Sequence, residues 1–438
     1  MKSKRILIFL LVLATVLLSG CNMLTIDQMY CLPKRSEGYL NLQSAVDSAM
    51  AGLEYHAPIS GDYQQPVQMA DLSGDGIEEY IVFAKGSGEK PLKVLIFSRV
   101  DDKYILTDKL EGNGFAFEQV QYIKFAGGKG YDLVIGRQVS EQVVRPLSIY
   151  SMVDGKMQQL LTAHYSRFAC VDMNADGQKE LFVLRPGETA ADRGIAELYT
   201  MKNGEVERSQ QVTLSMPVDN IKRVMVNRLQ DGPTAVYVAS DVGENAIITD
   251  VYSVLDGVFT NVSLSSESGT SVQTLRNYYV FAADIDNDGV LELPDLVALP
   301  PQEGETASSQ YLIHWYSMNS DGRRVEKQYT YHSFTGGWYL ELDEEIATKV
   351  SIKALGNSYE FSVIGSGAEL TRLMTLYVFT GQEREEQAVA ENRFVLHRTE
   401  STVYAAHLEV ASAAYKMTQE TLKEDFRLIT QDLINGNV

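Results

Sequence analysis

Residues 284–292 of the 438-residue chain read Asp-Ile-Asp-Asn-Asp-Gly-Val-Leu-Glu. Carboxylates stand at the first, third, fifth and ninth positions, and glycine stands at the sixth. Alternate residues of a tight loop can point their oxygen atoms inward, as a hard cation such as Ca²⁺ requires. Glycine at the sixth position permits the sharp turn, and the carbonyl of the seventh residue can supply a further ligand. This segment therefore predicts a calcium loop.

Two other segments share this spacing, so the sequence predicts up to three Ca²⁺ sites. The predicted ligands of loop 1 (residues 71–79) are Asp71, Ser73, Asp75, Glu79 and the carbonyl of Ile77. Those of loop 2 (residues 172–180) are Asp172, Asn174, Asp176, Glu180 and the carbonyl of Gln178. Those of loop 3 (residues 284–292) are Asp284, Asp286, Asp288, Glu292 and the carbonyl of Val290.

The ninth position distinguishes these loops from an EF-hand, which closes with an acid at the twelfth. The twelfth positions are Val82, Val183 and Asp295, whereas glutamate stands at the ninth position in all three loops. The pattern therefore favours a nine-residue loop. A solvated acidic turn without a metal is the alternative interpretation.

The loops belong to a longer repeat with a period of about 50 residues. Faded copies at residues 124–132 and 227–235 have lost most ligands, but they still run into an apolar strand. A strand-borne aromatic residue follows in every unit, namely Phe97, Tyr150, Tyr199, Tyr252 and Tyr316. A turn pair comes next, at Asp102-Lys103, Asp154-Gly155, Asn203-Gly204, Asp256-Gly257 and Asp321-Gly322. Asp-Gly and Asn-Gly pairs between strands are strong hairpin signals.

Four antiparallel strands per period are typical of a propeller blade. The units resemble the FG-GAP or VCBS repeats of integrin-type β-propellers, and the resemblance covers about residues 62–340. It implies blades that carry calcium in such loops. We therefore expect an all-β chain, with a β-propeller of six or seven four-stranded blades within residues 41–416.

Both ends of this region predict short helices. Leu42, Val46, Met50 and Leu53 follow helical spacing before the first blade. An amphipathic helix is expected over residues 417–438, with Thr418 as its cap and an apolar stripe that packs on the propeller. The members of that stripe are Leu422, Phe426, Ile429 and Leu433. Strand-like runs at residues 350–352, 373–379, 393–396 and 403–406 predict a diverged last blade.

The N-terminus has the pattern of an export signal. Lysine and arginine residues precede an apolar run over residues 6–18, which is short for a membrane span. The run ends in Leu-Ser-Gly before Cys21, which resembles the lipobox of bacterial lipoproteins. The resemblance implies that a signal peptide of residues 1–20 is removed. It also implies that Cys21 becomes a diacylglyceryl cysteine with fatty acyl chains such as palmitate, on a tether of residues 21–40. An ordinary secretory signal is the alternative.

These features predict a lipoprotein anchored in the cell membrane and facing the extracytoplasmic side. A formal charge of −20 argues against nucleic acid as a partner. Phosphate-loop, zinc-protease and serine-hydrolase motifs do not occur. We therefore expect a non-enzymatic binding or scaffold protein of the cell surface, whose partner is an extracellular protein or glycan. The alternative is a carbohydrate-active or other extracellular enzyme with its site on the central face of the propeller.

Overall fold

A computed structural model describes residues 37–125, 128–139, 145–189, 191–202, 205–300 and 310–429. The predicted export signal and Cys21 lie outside the described residues. Within them strands dominate and helices are short, which confirms the all-β prediction. None of the helices in this part of the chain has the length and apolar character that crossing a bilayer takes.

The first three sheets follow one another along the chain, and all their strand pairs are antiparallel. Sheet 1 contains β1 (Glu54–Tyr55), β2 (Val67–Ala70), β3 (Glu79–Lys85), β4 (Leu92–Val100) and β5 (Lys103–Gly112). Sheet 2 contains β6 (Ala116–Ile123), β7 (Asp132–Gln138), β8 (Arg145–Val153) and β9 (Lys156–Tyr165). Sheet 3 contains β10 (Arg167–Val171), β11 (Glu180–Arg185), β12 (Ile195–Lys202) and β13 (Glu205–Thr213).

Three more antiparallel sheets complete the described fold. Sheet 4 contains β14 (Ile221–Arg228), β15 (Thr234–Val242), β16 (Ala246–Leu255) and β17 (Val258–Asn261). Sheet 5 contains β18 (Leu293–Ala298), β19 (Tyr311–Met318), β20 (Arg324–Ser333), β21 (Trp338–Leu342) and the distant β27 (Phe426–Leu428). Sheet 6 contains β22 (Val350–Leu355), β23 (Ser358–Ile364), β24 (Leu370–Thr380), β25 (Phe394–Arg398) and β26 (Thr402–Leu408).

Four α-helices and three 3₁₀ turns accompany the sheets in the described residues. The helices are α1 (Glu37–Ala49), α2 (Glu344–Ala347), α3 (Arg384–Val389) and α4 (Gln419–Asp425). The 3₁₀ turns are Val218–Asn220, Val272–Thr274 and Val410–Tyr415. Helix α1 begins inside the segment that the sequence assigned to the tether, because residues from Glu37 onward already belong to the folded part.

The predicted repeat is present, but its units are out of phase with the sheets. In sheets 2 to 4 the loop position lies between the first and second strands, and in sheet 1 it lies between β2 and β3; in each case the two strands pair with each other. The fourth strand of each predicted unit therefore opens the next sheet. In sheet 5 the first strand is reduced to a single bridge between Ala283 and Glu292.

The aromatic landmarks lie on β4 of sheet 1, on the third strand of each of sheets 2 to 4 and on β19 of sheet 5. Four of them stand at a β-bulge toward the next strand, namely Phe97, Tyr150, Tyr199 and Tyr316. The turns at Asp154-Gly155 and Asp256-Gly257 have positive φ at both residues, as predicted. The first hairpin turns one residue earlier than predicted, at Asp101 and Asp102. Asn203-Gly204 lies outside the described residues.

The middle strands are buried on both faces. In β11, Leu181 and Val183 pack in a cluster with residues of sheet 2, whereas Phe182 and Leu184 pack with residues of sheet 4. Since successive side chains of a strand point to opposite faces, an uninterrupted apolar run is what such a position requires. Similar clusters join sheets 1 and 2, sheets 4 and 5, and sheets 5 and 6. This serial packing is propeller-like.

The two ends of the series are covered by helices. Leu42 and Val46 of α1 pack on the outer face of sheet 1, which confirms the predicted N-terminal helix for these two residues. The helix ends at Ala49, so Met50 and Leu53 follow it, although both still pack against the same cluster. Ala388 of α3 packs on sheet 6 against Phe379 and Val403. A closed ring would also need sheet 1 to pack against sheet 6. In the part of the chain that the structure describes, no buried apolar cluster joins these two sheets.

The C-terminal helix is shorter than predicted. Thr418 caps α4 through a capping box, as expected, but the helix ends at Asp425. Phe426 opens β27, which pairs with β21, because strand pairing there satisfies backbone groups that a longer helix would leave at the sheet edge. Leu422 and Phe426 are buried in the cluster that joins sheets 5 and 6, so the predicted packing is confirmed for these two residues. Leu433 lies outside the described residues.

Candidate metal sites

Each of the three loops turns through two left-handed residues. The glycine at the sixth position has φ of 86° in loops 1 and 2 and 81° in loop 3. The fourth position is also left-handed, and its occupants are Gly74, Ala175 and Asn287. Glycine adopts this region without steric cost, whereas Ala175 is held there at a cost of about 1–2 kcal/mol. The shared turn brings the side chains of each loop toward one another.

The ninth-position glutamate of every loop closes the loop by a backbone hydrogen bond. Its Oε2 atom accepts from the N–H of the second residue, at 2.7 Å from Leu72 to Glu79, 2.8 Å from Met173 to Glu180 and 3.0 Å from Ile285 to Glu292. All three glutamates are buried. Burial raises the pKa of Glu79 and Glu180 above the usual value. These glutamates therefore point into the loops.

Two further hydrogen bonds recur inside each loop. The first-position aspartate accepts from the sixth-position glycine at 3.0 Å, as in Gly76 to Asp71, Gly177 to Asp172 and Gly289 to Asp284. The fifth-position aspartate accepts from the seventh backbone N–H, as in Ile77 to Asp75 at 2.7 Å, and Gln178 to Asp176 and Val290 to Asp288 at 2.8 Å. The first, fifth and ninth side chains thus have one orientation in all three loops.

The residues at the twelfth position, where an EF-hand has its closing acid, lie outside the three loops. Val82 and Val183 are buried strand residues. Asp295 lies on β18 and forms an ion pair with Arg324, at 2.7 Å between Oδ2 and Nη1. The hydrogen bonds therefore close each loop at its ninth residue.

Loop 3 gathers the most carboxylates. Oxygen atoms of Asp284, Asp286 and Glu292 all lie within 4.8 Å of one another, and these are the only three acids so grouped in the described part of the chain. Glu292 is fully buried, and burial raises its pKa to about 7. Asp284 Oδ1 and Glu292 Oε1 are buried and accept no hydrogen bond, and the nearest cation to Glu292 Oε1 is the ammonium group of Lys327 at 3.8 Å. Buried carboxylate oxygens that accept no hydrogen bond fit a cation, so these residues could hold a metal ion.

A lysine from a neighbouring strand enters the same loop. The ammonium group of Lys327, on β20, forms ion pairs with Asp288, with Asp286 at 3.3 Å and with Glu292 at 3.8 Å. Its hydrogen bond lowers the pKa of Asp288. Although burial opposes the charged form, the two aspartates raise the pKa of Lys327. The spacing of the loop gave no signal for this contact, because Lys327 lies far along the chain.

Loops 1 and 2 lack such a lysine. Among the described residues, no lysine or arginine pairs with a carboxylate of either loop. In loop 2 the Asn174 amide donates to Asp176 at 3.0 Å and to Glu180 at 3.1 Å. In loop 1 the Ser73 hydroxyl donates to Asp71 at 3.4 Å. A bound cation would require Asn174 to turn its oxygen toward the centre of the loop.

The faded copies retain parts of this geometry and contact the intact loops. Asp132, at the ninth position of the copy at 124–132, accepts from the Phe125 N–H at 3.0 Å, and burial raises its pKa. The N–H of Tyr131 donates to the carbonyl of Asp71 in loop 1 at 2.8 Å. In the copy at 227–235, Arg228 donates to the carbonyls of Asp288 at 2.8 Å and Gly289 at 3.1 Å in loop 3. The two faded copies therefore donate hydrogen bonds to backbone carbonyls of loops 1 and 3.

A cavity of about 440 Å³ lies beside loop 3. It is bounded by the first strand of sheet 4, by the start of loop 3 and by Tyr339 and Leu428 of sheet 5. Among its described lining residues Asp284 is the single acid, and Arg223 is the single cation. A glycosidase needs two carboxyl groups on opposite sides of the scissile bond. Since Asp284 is the single acid among these lining residues, they do not supply such a pair.

Neither a protein-family model nor a curated protein matches the chain. Two similar solved structures cover most of it. A putative 6-phosphogluconolactonase from Bacteroides fragilis NCTC 9343 is 10% identical with a TM-score of 0.26, over 73% of this chain and 92% of that one. A protein from Lactobacillus plantarum is 8% identical with a TM-score of 0.28, over 74% and 95% respectively. At TM-scores this low, neither likeness establishes a fold or an activity for this chain.

Proposed function

We propose that this chain is a lipid-anchored binding or scaffold protein of the cell surface, built on a calcium-stabilised, propeller-like series of FG-GAP/VCBS-like repeats. The calcium part is supported by one observation above the others. In the loop whose spacing predicted a cation, Asp284 Oδ1 is buried and accepts no hydrogen bond, and Glu292 Oε1 is buried with only the Lys327 ammonium group near it, at 3.8 Å. A cation there would satisfy both oxygen atoms and offset the repulsion among four carboxylates.

The role of the metal in this proposal is structural. Loop 1 joins β2 to β3, loop 2 joins β10 to β11, and loop 3 leads into β18. A cation would tie the start of the second strand to the residues that precede it, as the backbone hydrogen bonds of the ninth-position glutamate already do. Extracellular modules bind calcium with dissociation constants of roughly 10⁻⁴ to 10⁻³ M. Such affinity is sufficient where calcium is abundant.

The proposed lipid anchor is supported by three features of the N-terminus. Lysine and arginine residues come first, an apolar run follows over residues 6–18, and the lipobox-like Leu-Ser-Gly precedes Cys21. Two or three acyl chains hold a protein stably on a bilayer, whereas a single chain binds reversibly. The test is fractionation of bacterial cells that express the full chain or its Cys21→Ala variant. The parent should be acylated and should sediment with membranes. The variant should lack acyl chains and should either leave the membrane fraction or accumulate as an unprocessed precursor. Equal acylation and sedimentation of the two proteins would refute the anchor.

The binding role is tested against the enzyme alternative with the same full chain in detergent. It is incubated for a day with neutral and acidic polysaccharides, and the mixtures are analysed by mass spectrometry for shortened products. The proposal predicts unchanged polysaccharides. Product formation that is absent from a heat-denatured sample would establish an enzyme and refute the non-enzymatic role.

A further inference from the structure

A second cavity lies away from the calcium loops and has an aromatic wall. Its volume is about 520 Å³. It is formed by the β15–β16 turn, by the segment after the Val272–Thr274 turn and by the end of β20. The lining residues are Asn245, Asn277, Tyr278, Tyr279 and Phe334. Tyr278 and Tyr279 are 38% and 36% exposed, so their rings are accessible to a ligand.

A smaller cavity of about 140 Å³ continues from the first. The two share Tyr278 and Phe334, and the smaller one adds Tyr311, which is 43% exposed. We call the two together the aromatic cleft. A cleft with two adjoining compartments suits an extended ligand better than a single small molecule.

The aromatic wall is held in place by ring packing. The rings of Tyr278 and Phe334 are 5.3 Å apart, and Phe334 in turn lies 5.5 Å from His332. His332 stacks on Tyr339 at 4.8 Å with an interplanar angle of 8°. Rigid aromatic side chains offer contact area at a low cost in conformational entropy. The wall is therefore largely formed before a ligand arrives.

Several polar groups of the aromatic cleft have no partner. The side chains of Asn245 and Asn277 are exposed and form no hydrogen bond with the described residues. The Tyr278 hydroxyl likewise has none, whereas the Tyr279 hydroxyl donates to Asp241. Two amides and a phenol offer both donors and acceptors. Such groups can bind a ligand that carries hydroxyls.

The described lining of the aromatic cleft contains no ionised group. No aspartate, glutamate, lysine or arginine is among the described residues that line it. Its one histidine, His332, is neutral because burial lowers its pKa to about 3. The whole chain, by contrast, carries a formal charge of −20. An uncharged lining on such a chain favours an uncharged ligand.

We infer that the aromatic cleft binds a neutral oligosaccharide. A pyranose ring has an apolar face that can lie on Tyr278 or Phe334, and its hydroxyls can pair with Asn245 and Asn277. A hydrocarbon ligand, by contrast, would leave these amides unpaired, at a cost in free energy. The inference rests on the proposed binding function and names the class of its ligand.

The test is titration calorimetry of the full chain in detergent with neutral hexasaccharides of glucose, mannose or galactose. At least one of them should bind. Tyr278→Ala should weaken that binding about tenfold and Asn277→Ala several-fold. Tyr55→Ala is the matched control, because Tyr55 is 51% exposed on sheet 1 and lies outside the aromatic cleft. It should leave binding unchanged.

Three results would overturn the inference. One is that none of the neutral hexasaccharides binds at millimolar concentration. Another is that Tyr278→Ala binds as tightly as the parent. A third is that polygalacturonate, an acidic polymer, binds as tightly and is equally sensitive to Tyr278→Ala. None of these three results would change the outcome expected for the calcium and membrane-fractionation experiments, which test the proposed function separately. Cleavage of a bound hexasaccharide would instead refute the non-enzymatic role, and the aromatic cleft would still be an oligosaccharide-binding site.

Discussion

Loops 2 and 3 share one backbone geometry but differ in what surrounds their carboxylates. In both, the ninth-position glutamate accepts from the second N–H and the first aspartate accepts from the sixth-position glycine. Loop 3 adds a fourth acid, Asp286, where loop 2 has Asn174. Only loop 3 also receives the ammonium group of Lys327. The extra negative charge is thus matched by an extra positive one.

The comparison shows that the turn of a candidate metal site and the charge around it have different origins in the sequence. The nine-residue repeat determines the turn and the orientation of its acids, because both depend on residues next to one another in sequence. The charge at the site depends also on β20, which reaches the loop only in the folded chain. After Lys327 is counted, the ligand side chains of loop 3 carry the same net charge as those of loop 2. We therefore expect all three loops to bind calcium.

Removal of calcium should have the largest effect. With a dissociation constant of about 10⁻⁴ M and free calcium of about 1 mM, each site adds roughly 1.4 kcal/mol to the free energy of unfolding. Three independent sites give roughly 4 kcal/mol, so EGTA should lower the melting temperature by several degrees without abolishing the fold. Scanning calorimetry in calcium and in EGTA measures this. Magnesium at the same ionic strength is the control, and it should not replace calcium.

Loss of the ninth-position glutamate should have the next largest effect. Glu180→Ala leaves the buried N–H of Met173 without an acceptor, which costs about 1–3 kcal/mol even in EGTA. Glu180→Gln keeps an acceptor of the same shape, so it should lose mainly the stabilisation by calcium. Urea unfolding in calcium and in EGTA distinguishes the two variants. If both behave alike in EGTA, the glutamate does not close the loop.

Replacement of Lys327 sharpens the comparison between the loops. Lys327→Met removes the internal cation, so loop 3 should bind calcium more tightly by about 1 kcal/mol, or roughly fivefold. The same variant should be less stable than the parent in EGTA, because four carboxylates then face one another. Lys93→Met is a matched control, since Lys93 is similarly buried but pairs with Glu111 on sheet 1. Unchanged calcium affinity in Lys327→Met would mean that the lysine does not compete with the metal.

Asp295→Ala should have the smallest effect. The pair of Asp295 with Arg324 is partly exposed, and such pairs contribute roughly 0.2–1 kcal/mol. The shift that calcium causes in the melting temperature should be the same as in the parent. A greater loss of calcium stabilisation in Asp295→Ala than in Glu292→Gln would restore the twelve-residue interpretation.

Much of this architecture follows from local pattern. The loop spacing and the Asp-Gly turns predicted where the apolar strand after each loop begins and where the later hairpins turn. The position of the unit boundaries did not follow, because strand pairing is a property of the folded chain. The pattern predicted that one unit holds four strands, whereas β6 pairs with β7 and therefore belongs to the next sheet.

The ends of the chain were less predictable than the repeats. No strand was predicted at β23, although Tyr359, Phe361 and Val363 alternate there with polar residues as in a half-buried strand. No helix was predicted at Arg384–Val389, where the residues are mostly polar. Phe426 fits a helical stripe as well as a strand, and only its pairing partner β21 decides between the two. Within the sites, the left-handed residues Ala175 and Asn287 gave no signal, because neither residue type is restricted to that conformation.

Equilibrium dialysis with radioactive calcium tests the central claim, that the nine-residue loops hold this ion. At 1 mM free calcium the full chain in detergent should bind close to three ions, and Asp288→Ala should bind close to two. Asp295→Ala should bind as many as the parent. Fewer than one ion per parent chain, or equal binding by the parent and Asp288→Ala, would contradict the assignment of these loops as calcium sites.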